Sequence, residues 1–210
     1  MKILSLDSSS PVASVAFVSF TGGMPEVLLE KQTPHARSDS AVLFEGLRDA
    51  VERCGLPDAI CVGLGPGSYN GLRTGIAAAR GFATARHLPL HAIPSPLALH
   101  EQDEGFWAVG DARGGHYWIA RVQQGVFVEK PQLLSPAETL SHLSSYIDLP
   151  VLGSAGLPEI ESLVIATPSA VRLAILAEKN DPFFLVSRTP VPIYLKPPHI
   201  TPLRATAIVS

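Results

Sequence analysis

The sequence has too few cysteines for a disulfide framework. Only Cys54 and Cys61 occur among the 210 residues, on either side of a Gly-Leu-Pro turn. A zinc site would need further ligands beside them, and secreted scaffolds of linked cysteines use more. Both cysteines are therefore expected to be reduced thiols of the core.

Long apolar runs are also missing. Asp7 interrupts the first apolar run after a few residues, which argues against a signal peptide. No stretch approaches the roughly 18 apolar residues of a membrane span. We therefore expect a cytoplasmic protein that makes no contact with a membrane.

Charged residues are scarce. They make up 17% of the chain, against 46% hydrophobic residues, and the formal net charge is −3. Avid binding to nucleic acid by this chain alone is disfavoured, because phosphate contacts need a concentrated Lys and Arg surface. The composition suits a soluble α/β protein with an additional apolar contact surface, built as one large domain or two small lobes.

The most informative stretch is a glycine-rich turn between an apolar run and an Ala-rich segment. Over residues 65–75 it reads Gly-Pro-Gly-Ser-Tyr-Asn-Gly-Leu-Arg-Thr-Gly. The pattern predicts a strand, a turn and a helix whose N-terminal N–H groups and dipole favour an anion. We expect Gly65, Gly67 and Gly71 to allow positive φ or the close approach of other backbone.

Two common nucleotide-binding motifs do not fit this turn. The spacing of its glycines is one residue longer than that of the dinucleotide fingerprint, and no acidic residue follows at the expected distance. A P-loop is excluded as well, because no Gly-Lys-Ser/Thr follows to contact phosphate and magnesium. The turn must therefore serve another purpose or another ligand.

The order of predicted elements indicates two similar halves. The first half is predicted to contain strands over residues 2–7, 11–20, 26–33, 59–64 and 91–94, with a hairpin turn at Gly22-Gly23. Its helices are predicted from a cap at Ser38, Asp39 or Ser40 to about Arg53, from Gly71 to about Arg86, and, as a short helix, from Ser95. The second half is predicted to contain strands over residues 106–110, 116–123, 126–133 and from Pro150, a helix over 135–146 that begins with a Ser135–Glu138 capping box, an amphipathic helix over 168–178 and a proline-rich tail. Three strands followed by a helix occur twice, which suggests a degenerate duplication. This order matches one actin-like half, although other mixed sheets would also fit it.

The glycine turn resembles the signature loop of the bacterial TsaB (YeaZ) family, G-P-G-S-[FY]-T-G-[LV]-R-[IV]-G. It departs from that pattern at Asn70, where Thr is usual, and at Thr74, where Ile or Val is usual. Three further landmarks occur in the family's order along the chain: the first strand through Asp7-Ser8-Ser9, the Asp111-Ala-Arg113 element with Tyr117, and the tail Pro192-Ile-Tyr-Leu-Lys196. Gly115-His116 replaces the usual Glu-Val pair in the second of these. The resemblance covers nearly the whole chain.

The resemblance implies a fold and a function. The fold would be a two-lobed actin/hexokinase-like (ASKHA, ribonuclease H-like) α/β fold, with mixed sheets flanked by helices. An N-terminal lobe would span residues 1–98, and a smaller, degenerate C-terminal lobe with the tail would span 99–210. The chain would be a non-catalytic partner of the transferase TsaD, which makes N6-threonylcarbamoyladenosine in tRNAs that read ANN codons. A TsaE-type ATPase would join the pair, the chain alone would form a homodimer, and tRNA would be reached only through the complex.

Asp7, Ser8 and Ser9 are the candidate vestige of a nucleotide site. They end the first strand, where active members of the superfamily bind phosphate and metal, and a carboxylate there could hold magnesium through water. Alternatively, Asp7 caps a neighbouring turn and the serines satisfy backbone groups. We expect no catalytic residue, no metal site and no cofactor, with weak nucleotide binding left open. His87 and His91 are not expected to share a metal, because Pro89 interrupts any helix between them.

Two predicted helices form the candidate partner face. Leu43 and Leu47 give the first helix an apolar stripe, and small residues of the second allow close approach of another helix. Packing on the sheet would explain part of both stripes. In the resembled family these helices pair with TsaD or with a second copy. The residues expected at that interface are Leu43, Leu47, Gly71, Arg73, Thr74, Gly75, Ala78 and Phe82, and the loop expected to shape the second helix is Gly65, Pro66, Gly67, Ser68, Tyr69 and Asn70.

Two other functions remain open on the sequence. An active ATPase or kinase of the same superfamily is favoured by Asp7 and disfavoured by the unusual glycine loop. A peptidase of the M22 type is suggested by older family labels. It is less favoured, because neither a Ser–His–Asp arrangement nor a set of metal ligands can be placed.

Overall fold

A computed structural model describes residues 1–34, 41–101, 104–145, 148–179 and 190–196. The first half contains β1 (Lys2–Asp7), β2 (Val12–Thr21), β3 (Met24–Pro34), α1 (Ala41–Cys54), β4 (Ala59–Gly63), α2 (Tyr69–Arg86), β5 (Leu90–Ile93) and a 3-10 turn (Ser95–Ala98). The second half contains β6 (Phe106–Asp111), β7 (Tyr117–Gln123), β8 (Val126–Leu134), α3 (Pro136–Ser144), β9 (Val151–Gly153), β10 (Leu163–Ile165) and α4 (Ala170–Glu178).

Within the described residues, two five-stranded mixed sheets share one topology. The first has the order β3-β2-β1-β4-β5, and the second, taken in the same direction, has the order β8-β7-β6-β9-β10. In each, the first three strands pair antiparallel and the last two add in parallel. The predicted repeat of strand order is thus confirmed. The fold is of the actin/hexokinase-like α/β class, as expected.

Local sequence signals explain the turns and helix ends that the structure shows. Gly22 and Gly23 have φ of 61° and 80°, the left-handed values that a tight hairpin needs, and they connect β2 to β3. Ser135 accepts a hydrogen bond from the Glu138 amide while the Glu138 side chain accepts one from the Ser135 amide, which confirms the capping box of α3.

Both faces of the first sheet are covered. On one face, α1 and α2 pack against alternate residues such as Leu4, Val15 and Val62. On the other face, α4 packs on the first sheet and, in the same apolar cluster, meets residues of β6, β7 and β9. Although α4 comes from the second half of the chain, its contacts with other elements are mainly with the first sheet. The division into lobes at residues 98 and 99 stays a prediction.

Some elements differ from the predictions. The helix predicted as amphipathic, α4, is buried on most sides, with Arg172 only 5% exposed, because it lies between two apolar layers. The short strand β10, whose three residues are all at least partly exposed, was not predicted. The helix α2 begins at Tyr69, two residues early, with Ser68 as its N-cap. The predicted caps Ser38, Asp39 and Ser40 lie outside the described residues.

None of the helices in the described part of the chain is both long enough and apolar enough to cross a membrane.

Candidate functional site

The glycine-rich turn lies between β4 and α2 and packs on the turn that follows β1. Gly65 has the positive φ that the sequence suggested, at 79°, whereas Gly67 and Gly71 do not. Their role is close approach. A Cβ on Gly67 would lie 2.2 Å from the carbonyl oxygen of Ser9, and one on Gly71 would lie 2.0 Å from that of Ser8. Any side chain at either position would collide with backbone.

Hydrogen bonds close the gap between these two turns. The Ser68 amide donates to the Ser9 carbonyl oxygen at 2.7 Å, and the Ser8 hydroxyl donates to the Gly71 carbonyl oxygen at 2.8 Å. The Gly71 and Leu72 amides are bonded to the Ser68 side chain and carbonyl oxygen. The backbone of Ser8 and Ser9 therefore lies directly against the start of α2, where the sequence left room for an anion.

Asp7 is buried at the centre of this arrangement. One carboxylate oxygen accepts hydrogen bonds from the Ser9 amide and hydroxyl at 2.8 and 2.7 Å, and the other accepts one from the Ser95 hydroxyl at 2.5 Å. The Gly65 amide in turn donates to Ser95. Burial raises the pKa of Asp7 above its ordinary value, against the opposing effect of the Ser9 and Ser95 hydrogen bonds.

The surroundings of Asp7 leave no space for a ligand beside its carboxylate. A Cβ on Gly63 would lie 1.8 Å from one carboxylate oxygen, and the side chain of Asp7 is 0% exposed. In the part of the chain that the structure describes, no three His, Cys, Asp or Glu side chains are grouped to hold a metal ion. His87 ends α2, and His91 is a buried residue of β5. Asp7 is thus placed to hold three chain segments together.

The two candidate interface helices pack on the same face of the first sheet, and their apolar stripes face inward. Leu43 is 3% exposed and Leu47 is 7% exposed, and Gly75 and Ala78 are also buried. These four residues build the core beneath the helices. Thr74 and Phe82 are partly exposed, and Arg73 is exposed.

The outer surface of α1 and α2 carries exposed aromatic and basic residues, unlike the apolar inner face. Phe44, which the sequence analysis did not single out, is 51% exposed, and Arg80, Gly81 and Arg86 are exposed on α2. The helix α2 has no acidic residue at all. Helical spacing could have identified Phe44, since a residue next to Leu43 must point away from the face that Leu43 and Leu47 share.

The signature loop, the Asp111–Arg113 element and the tail segment with Tyr194 meet in one cleft of about 570 Å³. Its walls include residues 66–70 of the signature loop, residues 111–114 at the end of β6 and just after it, and residues 193–196. The Ile193 amide donates to the Leu64 carbonyl oxygen at 2.9 Å, and the Tyr194 ring lies 5.2 Å from the Tyr69 ring. Each of these stretches is recognisable in the sequence, but nothing in the sequence places them together.

Comparisons with known proteins match most of the chain. The family model described as TsaD, tRNA N6-adenosine threonylcarbamoyltransferase, matches residues 32–187. An uncharacterized protein of Mycobacterium leprae is 31% identical over 97% of this chain and 57% of its own length. The tRNA threonylcarbamoyladenosine biosynthesis protein TsaB of Haemophilus influenzae is 28% identical over 58% of this chain and 54% of its own length. The chain thus spans little more than half of both relatives.

A solved structure supports the fold independently. YeaZ from Pseudomonas aeruginosa superposes with a TM-score of 0.74 over 92% of this chain and 99% of that one, at 23% identity. At that identity the likeness concerns the fold alone.

Proposed function

Because the chain belongs to the TsaB (YeaZ) family, we propose that it is the non-catalytic partner of a TsaD-type transferase. Family membership supports a role in tRNA threonylcarbamoyladenosine biosynthesis. In the proposed complex this chain performs no step of bond making. It binds the transferase, with a TsaE-type ATPase as a third component, in the cytoplasm.

The observation that supports a non-catalytic role is the closed turn beside Asp7. A metal ligand or general base must reach a bound substrate or its water. Both Asp7 oxygens instead accept hydrogen bonds from Ser9 and Ser95, in a space where even a Cβ on Gly63 would not fit. Ser8 and Ser9 in turn cover the start of α2. This geometry disfavours the alternative of an active ATPase or kinase.

The surface that supports a partner role is the outer side of α1 and α2. Phe44 is half-exposed on α1 and Phe82 is partly exposed on α2, where Arg73 and Arg80 are exposed as well. Large apolar side chains within a polar rim are typical of protein interfaces. In the absence of the transferase, the same surface is proposed to pair two copies of this chain.

Reconstitution tests the proposal. The purified chain would be combined with the TsaD-type and TsaE-type proteins of the same genome, and modified tRNA nucleosides would be measured by mass spectrometry. We expect modification with the full set, little without this chain, and none with this chain alone. Full activity without it, or magnesium-dependent ATP hydrolysis by the chain alone, contradicts the scaffold role.

Association provides a second readout. The chain alone is expected to sediment as a homodimer, and adding the TsaD-type protein is expected to replace it with a mixed complex, because both would use one surface. A mixed complex that retains the homodimer contact would show that the two surfaces differ.

A further inference from the structure

The cleft between the signature loop and the loop after β6 has no role in the proposed docking of a transferase. It encloses about 570 Å³, within the size range of small-ligand sites, yet it is open on one side. It is bounded by the three stretches that resemble the family outside the first strand. The cleft is therefore expected to bind a different molecule from the one that binds the outer side of α1 and α2.

Aromatic rings form one wall of the cleft. Tyr69 and Tyr194 are 38% and 42% exposed, with ring centroids 5.2 Å apart and planes inclined by 31°. The Arg73 guanidinium lies 5.4 Å from the Tyr69 ring centroid and donates a hydrogen bond to the Tyr69 hydroxyl at 2.7 Å. The two rings are therefore held in contact with each other while each tyrosine stays partly exposed to solvent.

Two cationic side chains also line the cleft. The Lys196 ammonium donates to the Arg113 carbonyl oxygen at 2.6 Å, which places these two residues side by side at the cleft. Neither is in an ion pair with a described residue. The Asp111 carboxylate also lines the cleft, and it accepts a hydrogen bond from the Arg113 amide. Positive charge thus prevails where the rings are exposed.

The geometry points to an unpaired segment of RNA as the occupant of this cleft. Exposed aromatic rings stack on bases of any sequence, and Arg and Lys nearby contact the phosphates between them. An acidic peptide would use the cations but not the ring faces. The assignment rests on the proposed role in tRNA modification, in which an RNA is the molecule modified. With a net charge of −3, this contact would be local, adding to the grip of the other subunits.

Binding of RNA to the full-length chain tests this inference without any partner protein. A fluorescein-labelled single-stranded RNA of about eight nucleotides would be titrated at low salt, with anisotropy as the readout. Arg113→Gln and Lys196→Gln are each expected to weaken binding by about threefold to tenfold. Each should also reduce the slope of log K against log salt by about 0.7, the value for one phosphate contact on a single strand.

The matched control is Arg86→Gln, which removes the same charge from an exposed residue in the last turn of α2. It should leave affinity and salt slope unchanged. An equal loss in this control, or no saturable binding up to about 1 mM protein, overturns the inference. Circular dichroism of each variant shows that the fold is retained.

Two further probes separate an RNA site from a general anion site. An abasic oligomer of equal length should bind several-fold more weakly, because it has phosphates but no bases to stack. Tyr194→Ala should reduce that difference, since it leaves Tyr69 as the one ring of the pair. Equal binding of the abasic oligomer, or equal displacement by polyglutamate, shows a polyanion site and overturns the inference. Competition by AMP as effective as by RNA assigns the cleft to free nucleotides and overturns it too.

These outcomes are distinct from those of reconstitution. Failure of the chain to bind a transferase would contradict the proposed function, whereas the RNA titration involves no transferase. Loss of RNA binding alone would leave the scaffold role intact.

Discussion

The Asp7 carboxylate accepts a hydrogen bond from the Ser95 hydroxyl at 2.5 Å, although 88 residues separate them in sequence. Ser95 also accepts a hydrogen bond from the Gly65 amide, so one hydroxyl connects the end of β1, the signature loop and the turn after β5. The strand ends of the first sheet are thereby fixed to each other. Four predictions follow from this junction and the helices above it.

Gly71→Ala should destabilise the fold by about 2 kcal/mol or more, since the new Cβ would lie 2.0 Å from the Ser8 carbonyl oxygen. The matched control is Gly81→Ala in the same helix, where no atom lies within 4 Å of the added group. That change should stabilise the protein by up to about 1 kcal/mol, because alanine favours helix. Urea unfolding of both variants would measure the two changes in the free energy of unfolding. Equal effects would mean that the Ser8 turn can move away from Gly71.

Asp7→Asn should change how stability depends on pH. Burial raises the pKa of folded Asp7 above the ordinary 3.8. The folded protein therefore holds this proton when the unfolded chain has released it, and the free energy of unfolding falls as pH rises above that value. Asparagine does not titrate, so the stability of the variant relative to the wild type should increase with pH from the ordinary pKa upward.

Urea unfolding in steps from pH 4 to pH 8 would measure that difference. A difference that is constant across the range would show that folded Asp7 titrates like an exposed carboxyl group. Ser95→Ala serves as a second test: it removes a hydrogen bond that favours the charged form, which should raise the pKa of Asp7 further.

Neighbouring residues of α1 should separate stability from binding. Leu43 is 3% exposed, and Leu43→Ala should reduce the free energy of unfolding by about 2–5 kcal/mol through a cavity beneath the helix. Phe44 is 51% exposed, and Phe44→Ala should change stability by no more than about 0.5 kcal/mol. It should weaken binding of the TsaD-type partner about tenfold.

Calorimetric titration with the partner would measure this effect, with Ile165→Ala as the control. Ile165 is 59% exposed on the edge strand β10, away from α1. Unchanged affinity in Phe44→Ala would place the docking surface elsewhere on the chain.

The two thiols should react at very different rates. Cys61 is buried in β4, and burial together with the nearby Asp7 carboxylate raises its pKa far above the ordinary value. Cys54, at the end of α1, is partly exposed. A thiol reagent should therefore modify one group in the folded protein and the second only in denaturant. If two equivalents of the reagent react rapidly with the native protein, β4 must open readily enough to expose Cys61.

Much of the fold could be predicted because its signals are local. Alternating and continuous apolar runs predicted nine of the ten strands found in the described residues, and Gly22-Gly23 and Ser135–Glu138 predicted a hairpin and a helix start. The strand β10 gave no such signal. For α4 the burial depends on two sheets that meet it from opposite sides, and no periodicity within nine residues reports that.

The candidate site was less accessible to sequence reasoning. The glycine loop was identified as the centre of the site. The groups that pack against it are the backbone atoms of Ser8 and Ser9, where the sequence favoured an anion. Ser95 and Phe44 were not singled out as functional residues. The first gains its role only from Asp7, and the second from being on the outer side of a helix whose inner side meets the sheet.

The sequence by itself determined the order of strands and helices and the family, because turns, caps and motifs are formed by residues close together in the chain. Tertiary structure decided which glycines make room for backbone and which apolar side chains remain exposed, and that Asp7 is closed off by residues from three segments. The physical reason is that steric contact and burial depend on atoms that are distant in sequence. Only folding brings Asp7 to Ser95, or Tyr69 to Tyr194.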